Sequence, residues 1–292
     1  MYDDVLFPFD GSDGAATALH HTAEIATWAD ATVHVLFVAD TNRNSVSVVG
    51  DRAVDGLVGR GEEVVAEAAE TLDTLGVDHD TDVVQGSPAR TIVEYAERYG
   101  HDLIVTPTHG RTGLSRYLVG SVAEKVVRLA TTPVLTARMQ PDEQLTFPYE
   151  RILLPTDGSD AATRAATHGI ALAAALDATV HLCSVADDTS LGADVRSTVL
   201  EEAARETAET AVDDLAATAA EHGVEAVRHV DRGTPVEAIR DRIDDDDCHA
   251  VVMGTTGRRG TDRILLGSVA EKTVRSAPVP VITVGHEAER TE

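Results

Sequence analysis

Phe7-Pro8-Phe9-Asp10-Gly11-Ser12-Asp13 returns as Leu154-Pro155-Thr156-Asp157-Gly158-Ser159-Asp160, 147 residues further on. Each version is an apolar run that ends in Asp-Gly-Ser and passes into an amphipathic stretch, the pattern of a strand, a tight turn and a helix. The same offset relates Gly86-Ser87-Pro88 to Gly233-Thr234-Pro235, Gly120-Ser121-Val122-Ala123-Glu124-Lys125 to Gly267-Ser268-Val269-Ala270-Glu271-Lys272, and Pro133 to Pro280. Between Ile104–Ala137 and Val251–Val284, 19 of 34 positions are identical, so the repeat is a whole duplicated domain and not a short solenoid unit.

Within the first copy, Asp4–Phe9, Thr32–Val38, Asp80–Gln85, Asp102–Thr106 and Pro133–Ala137 read as strands. Their second-copy counterparts begin near Arg151, Thr179, Ala226, His249 and Pro280. Ala15–Trp28, Arg60–Leu75, Pro88–Tyr99 and Ser121–Ala130 carry apolar residues at helical spacing, with Pro88 and Pro235 suited to a first helical turn. Strands alternating with helices predict an α/β fold: two tandem doubly wound, Rossmann-like domains, each a five-stranded parallel sheet with helices on both faces. Domain 1 is predicted over 1–138, a linker over 139–149, where Pro141 and Pro148 interrupt both periods, domain 2 over 150–285 and a polar tail over 286–292. The irregular stretch Asp40–Gly61, after the second strand, reads as a mobile loop.

The chain of 292 residues is 43% hydrophobic, enough for two cores, and carries 50 acidic against 24 basic residues, a formal net charge of −26. That excess repels nucleic acid and anionic membrane, and excludes both as expected partners. Its only lysines are Lys125 and Lys272, and the composition resembles that of halophilic, haloarchaeal-like proteins, whose self-repulsion is damped by high salt. The N-terminus lacks a signal peptide's basic region and no long apolar run follows, which predicts a soluble cytoplasmic protein. Cys183 and Cys248 suggest small core residues rather than a disulfide. His20, His21 and His109 are not at a metal-binding spacing, and no metal is expected from the protein alone.

In the second copy Gly254-Thr255-Thr256-Gly257 is followed after nine residues by Gly267-Ser268-Val269, which opens an amphipathic helix. Glycines at a strand end let the backbone approach phosphates, and a helix N-terminus offers free amides to an anion. Ser268 reads either as a cap of that helix or as a phosphate ligand. Ser12 and Ser159 read as N-caps, and Arg111 and Arg258 as surface residues rather than phosphate ligands. There is no G-x-x-x-x-G-K-[ST] motif, no S-G-G-x-D-S loop and no G-x-G-x-x-G directly after the first strand. These absences argue against a Walker-type NTPase, an ATP pyrophosphatase and a dinucleotide-dependent oxidoreductase.

The G-x-x-G-x9-G-S pattern, together with Pro155-Thr156-Asp157-Gly158-Ser159 and Gly233-Thr234-Pro235, resembles the ATP-binding branch of the universal stress protein family over nearly the whole of each copy. The resemblance implies strand order 3-2-1-4-5 and pairing of two domains through their fifth strands, within the chain, with a homodimer as a further option. It implies ATP as ligand, with any Mg2+ arriving on the nucleotide. In domain 2 the implied contacts are Pro155, Thr156, Asp157, Val185, Met253, Gly254, Gly257, Gly267, Ser268 and Val269. Among them, Asp157 and Val185 hold the adenine and ribose region and the glycine motif holds the phosphates. In domain 1 a weaker set comprises Pro8, Phe9, Asp10, Val38, Gly110, Gly120, Ser121 and Val122. It is weaker because Pro107 stands opposite Gly254 and has no amide to offer.

Three functions fit these residues: an ATP-binding module with a regulatory or protective role in the stress response, a slow ATPase or autophosphorylating phosphotransferase, and a dimerisation adaptor that binds no nucleotide. The first is preferred because no general base or paired carboxylates accompany the glycine motif.

Overall fold

The computed structural model describes residues 1–40, 46–49, 52–108, 120–140, 142–186, 198–257 and 266–285. They divide into two units, Met1–Gln140 and Pro141–Glu292. In the first, β1 (Asp4–Pro8) leads through α1 (Asp13–Ala29) to β2 (Thr32–Asp40). After β3 (Val46–Val49) and β4 (Arg52–Asp55) come α2 (Gly56–Leu75), β5 (His79–Gly86), α3 (Pro88–Tyr99), β6 (Leu103–Pro107), α4 (Ser121–Leu129) and β7 (Val134–Ala137). In the second unit the order is β8 (Arg151–Pro155), α5 (Asp160–Leu176), β9 (Thr179–Ala186), α6 (Thr198–Glu221), β10 (Ala226–Arg232), α7 (Pro235–Asp245), β11 (Ala250–Gly254), α8 (Ser268–Ser276) and β12 (Val281–Val284).

The first sheet runs β5-β2-β1-β6-β7 and the second β10-β9-β8-β11-β12, each the expected 3-2-1-4-5 order. Within each sheet, neighbouring strands run parallel. Such strands are covered on both faces, which is why β1, β6, β8 and β11 are nearly continuous buried apolar runs. α1 packs on α2 and α3 on α4, and likewise α5 on α6 and α7 on α8, so each face carries one pair of helices. Right-handed crossovers require this: connections running outward from the first strand in opposite directions lie on opposite faces.

Helix ends follow local chemistry. Ser12 accepts from the Ala15 amide at 3.3 Å and Ser159 from Ala162 at 3.2 Å, each capping its helix as expected. Pro88 and Pro235 occupy the first turn of α3 and α7. Cys183 and Cys248 are buried, and burial pushes both thiols up to about 12, which keeps them unreactive at neutral pH.

One expectation needs correction. The stretch read as a mobile loop contains an antiparallel ribbon, with Val46 opposite Asp55 and Val49 opposite Arg52, and α2 begins at Gly56 rather than Arg60. The valines that made the stretch look irregular suit a pleated strand. Residues 41–45 and 50–51 of that stretch lie outside the described residues. Among the described residues, no helix is long and apolar enough to cross a membrane.

Candidate functional site

In an open parallel sheet, the crevice forms where strand order reverses, beyond the carboxyl ends of the two strands whose connections part. In the second unit these strands are β8 and β11, whose last register pair is Val251 with Leu153. Past that point the chain turns sharply after β8. The half-buried Pro155 closes the strand, Gly158 takes φ 73°, and its amide donates to the Thr156 hydroxyl at 3.1 Å. Ser159 donates its amide to Asp157 Oδ1 at 3.0 Å. One carboxylate oxygen of Asp157 is thus fixed by the turn. The other faces Gly257, where an added Cβ would lie 2.6 Å from Oδ2.

Gly254, the last residue of β11, has two constraints. The Thr255 amide donates to the Val284 carbonyl at 3.3 Å, and successive amides of a strand point to opposite neighbours. The Gly254 amide is therefore directed toward β8 and the turn that follows it. A Cβ on Gly254 would also lie 2.8 Å from the Ala161 carbonyl oxygen and 2.9 Å from its carbon, in the first turn of α5. This packing reason was not visible in the sequence, where the glycine spoke only for phosphate approach. The first unit carries Pro107 there, and α1, which packs on β6, has Gly14 at the position of Ala161.

The N-terminus of α8 closes the same crevice. The Gly267 amide donates to the Thr255 carbonyl at 2.7 Å, and a Cβ on Gly267 would lie 3.2 Å from that oxygen. Gly267 itself is the N-cap, with no side-chain cap, so Ser268 does not cap α8 as one of its two readings held. Ser268 stands exposed on the first turn beside the partly exposed Val269, and the first-turn amides have no acceptor within the helix. A helix N-terminus in this state favours an anion by about 0.3–1 kcal/mol when exposed and about 2 when partly buried.

The remaining positions divide. Val185 is half-buried near the end of β9. Met253 is buried in β11. Thr156 is buried and its hydroxyl serves the turn.

In the first unit Asp10 Oδ1 accepts the Ser12 amide at 3.0 Å, matching Asp157. Phe9 is buried with its ring 5.9 Å from Phe7, and has no oxygen for the turn that Thr156 braces. Pro8 ends β1, Val38 is half-buried on β2, and Gly120 donates its amide to the Thr108 carbonyl. Ser121 and Val122 are exposed at the start of α4. Gly110, with His109, Arg111 and Arg258, lies outside the described residues.

A sequence model of the universal stress protein family matches residues 1–138 and again 148–285. Universal stress protein MJ0531 of Methanocaldococcus jannaschii is 36% identical over 145 residues, 47% of this chain and 83% of its own. Stress response protein NhaX of Bacillus subtilis is 28% identical over 162 residues, covering 47% of this chain and 98% of its own. The crystal structure of a universal stress protein from Archaeoglobus fulgidus is similar along nearly the whole chain. Its TM-score is 0.73 at 25% identity, over 97% of this chain and 98% of that one.

Proposed function

Because the chain belongs to the universal stress protein family, we propose that it is a cytoplasmic ATP-binding module with a regulatory or protective role in the stress response, its principal site in the second repeat. The observation that carries this reading is the convergence of Asp157, Gly257 and the N-terminus of α8, whose cap is a glycine, at the carboxyl ends of β8 and β11. In this reading the triphosphate lies on the amides of Ser268, Val269 and the Gly254–Gly257 turn, with the Ser268 hydroxyl as a further donor. Asp157 and Val185 hold the ribose and adenine, as the family resemblance implies. Any Mg2+ would arrive bound to the phosphates and neutralise charge there.

ATP that binds only the folded form stabilises it by RT ln(1 + [L]/Kd), about 2.7 kcal/mol at a hundred times Kd. Occupancy thereby becomes a structural signal without any bond being broken. The same proposal includes pairing of the two repeats through their fifth strands, β7 and β12, as the resemblance implies.

The test is calorimetric titration of ATP into the nucleotide-free chain. Pro107 cannot supply the amide that Gly254 directs at the crevice, and a hydrogen bond to a charged group contributes about 1.5–3 kcal/mol. The first repeat is expected to bind about ten- to a hundredfold more weakly than the second, and Pro107→Gly to narrow the gap. Two equal sites in the wild type would contradict the asymmetry, and no saturable binding at all would contradict the function.

A further inference from the structure

On the face of the second sheet that α7 covers, three side chains from separate elements meet. His181 of β9 pairs in register with Val227, and His229 stands two residues further along β10, so the two imidazoles are diagonal neighbours on one face. Their rings stack at 9° with centroids 5.4 Å apart, and His181 Nδ1 lies 3.2 Å from His229 Nε2. Asp246, the residue that caps the C-terminus of α7, brings Oδ2 to 3.7 Å from His181 Nδ1 and 3.5 Å from His229 Nε2. The side chains are 9%, 11% and 20% exposed, so the cluster is reachable from solvent but shielded by the helix.

We propose that His181, His229 and Asp246 form a binding site for one divalent transition-metal ion, zinc by preference, with a fourth position open to water. Zinc–nitrogen and zinc–oxygen bonds of about 2.0–2.2 Å in tetrahedral array set ligand atoms about 3.3–3.5 Å apart. Edges of 3.2, 3.5 and 3.7 Å bracket that spacing. An octahedral ion at about 2.0–2.1 Å needs neighbouring ligands only about 2.9 Å apart, shorter than every edge here. Two imidazoles with one carboxylate also suit zinc better than magnesium or calcium, which take oxygen ligands.

The surroundings fit a cation. Asp246 Oδ2 is buried and, among the described residues, has no hydrogen-bond partner. A hydrogen bond between the two imidazoles would serve both nitrogens and still leave that oxygen unserved, whereas an ion at the centre serves all three atoms. Arg242 is the competing charge. Its Nε and Nη2 grip Asp231 at 2.8 and 2.7 Å, and Nη1 stays 3.7 Å from Asp246 Oδ2, outside hydrogen-bond distance.

The cluster belongs to the second repeat alone. At the equivalent positions the first repeat keeps His34 but has Asp82 and Tyr99. The site is therefore a property of this sequence and not a by-product of the fold. It is also independent of the nucleotide reading, since it lies on a face of the sheet and not at the carboxyl-end crevice.

The test uses the full-length chain stripped with a chelator and titrated with Zn2+ alone by calorimetry, in excess Mg2+ to fill the acidic surface. A parallel titration with Co2+ follows visible absorption. One saturable zinc per chain and the intense absorption of four-coordinate cobalt are expected. His229→Gln and Asp246→Asn are each expected to weaken zinc binding by at least about a hundredfold. The cobalt spectrum of the wild type is informative even if a variant fails to fold. Absence of saturable zinc binding, the weak bands of six-coordinate cobalt, or full affinity in a folded variant would each overturn the proposal.

Discussion

Replacing Gly254 by valine is expected to destabilise the second repeat by about 3 kcal/mol, the upper end of what overpacking costs. The Cβ alone would be driven against backbone, the Ala161 carbonyl at 2.8 Å and the Ala162 nitrogen at 3.3 Å, and backbone in a capped first turn has little room to yield. α5 cannot simply retreat, because it is also held close at Gly169, where a Cβ would lie 2.4 Å from Leu154 Cδ2 and 3.2 Å from Val252 Cβ. Lifting the helix would forfeit those contacts as well. The damage would reach the crevice, since the same turn fixes Asp157 through the Ser159 amide. Pro107→Val in the first repeat, where a side chain is already accommodated, is expected to cost under about 1.5 kcal/mol. Denaturant unfolding of both variants checks this, and a Gly254→Val protein as stable as the wild type would refute the packing argument.

Acidification is expected to remove a comparable amount of stability through one histidine of α5. Burial lowers the pKa of His168 to about 4, against about 6.5 in an unfolded chain. Between those values the unfolded chain binds a proton that the folded one refuses, so stability is intact above about pH 6.5 and is lost as pH falls toward 4. The separation of about 2.5 units corresponds to about 3 kcal/mol at the acid end. Carboxylates titrate in the same window, so the readout is the difference between wild type and His168→Gln. The variant's curve is expected to be flatter by about that amount. His21, its counterpart in α1, is buried and its pKa is lowered too, but Glu24 at 3.3 Å opposes the shift. A nuclear magnetic resonance titration that placed His168 near 6.5 would contradict the prediction.

The fold was legible in the sequence because the duplication let one copy check the other. A strand start or a first-turn proline that recurs after 147 residues is hard to misread, and α3 was read to the residue at Pro88–Tyr99. The ribbon Val46–Val49 with Arg52–Asp55 was missed because four-residue strands carry almost no periodic signal. At the crevice, residue types announced Asp157 and the glycines, but not what each does. Gly254 looked like room for a phosphate and also makes room for Ala161. Thr156 looked like a ligand contact, and its hydroxyl braces the turn. Of the two readings of Ser268, cap or phosphate ligand, the cap falls, because Gly267 holds that place. His181, His229 and Asp246 left no trace, since only the parallel register and the end of α7 bring them together.

Whether the N-terminus of α8 receives the phosphates is read from ATP titration of Ser268→Asp beside the wild type. A carboxylate on the first turn complements the helix dipole and is expected to leave stability unchanged or raise it by about 0.3–1 kcal/mol. The same carboxylate would engage the free amides and repel the triphosphate. The expected result is a folded, equally or more stable protein whose second-repeat affinity for ATP falls at least about tenfold. A Ser268→Asp protein that binds ATP as tightly as the wild type would contradict it.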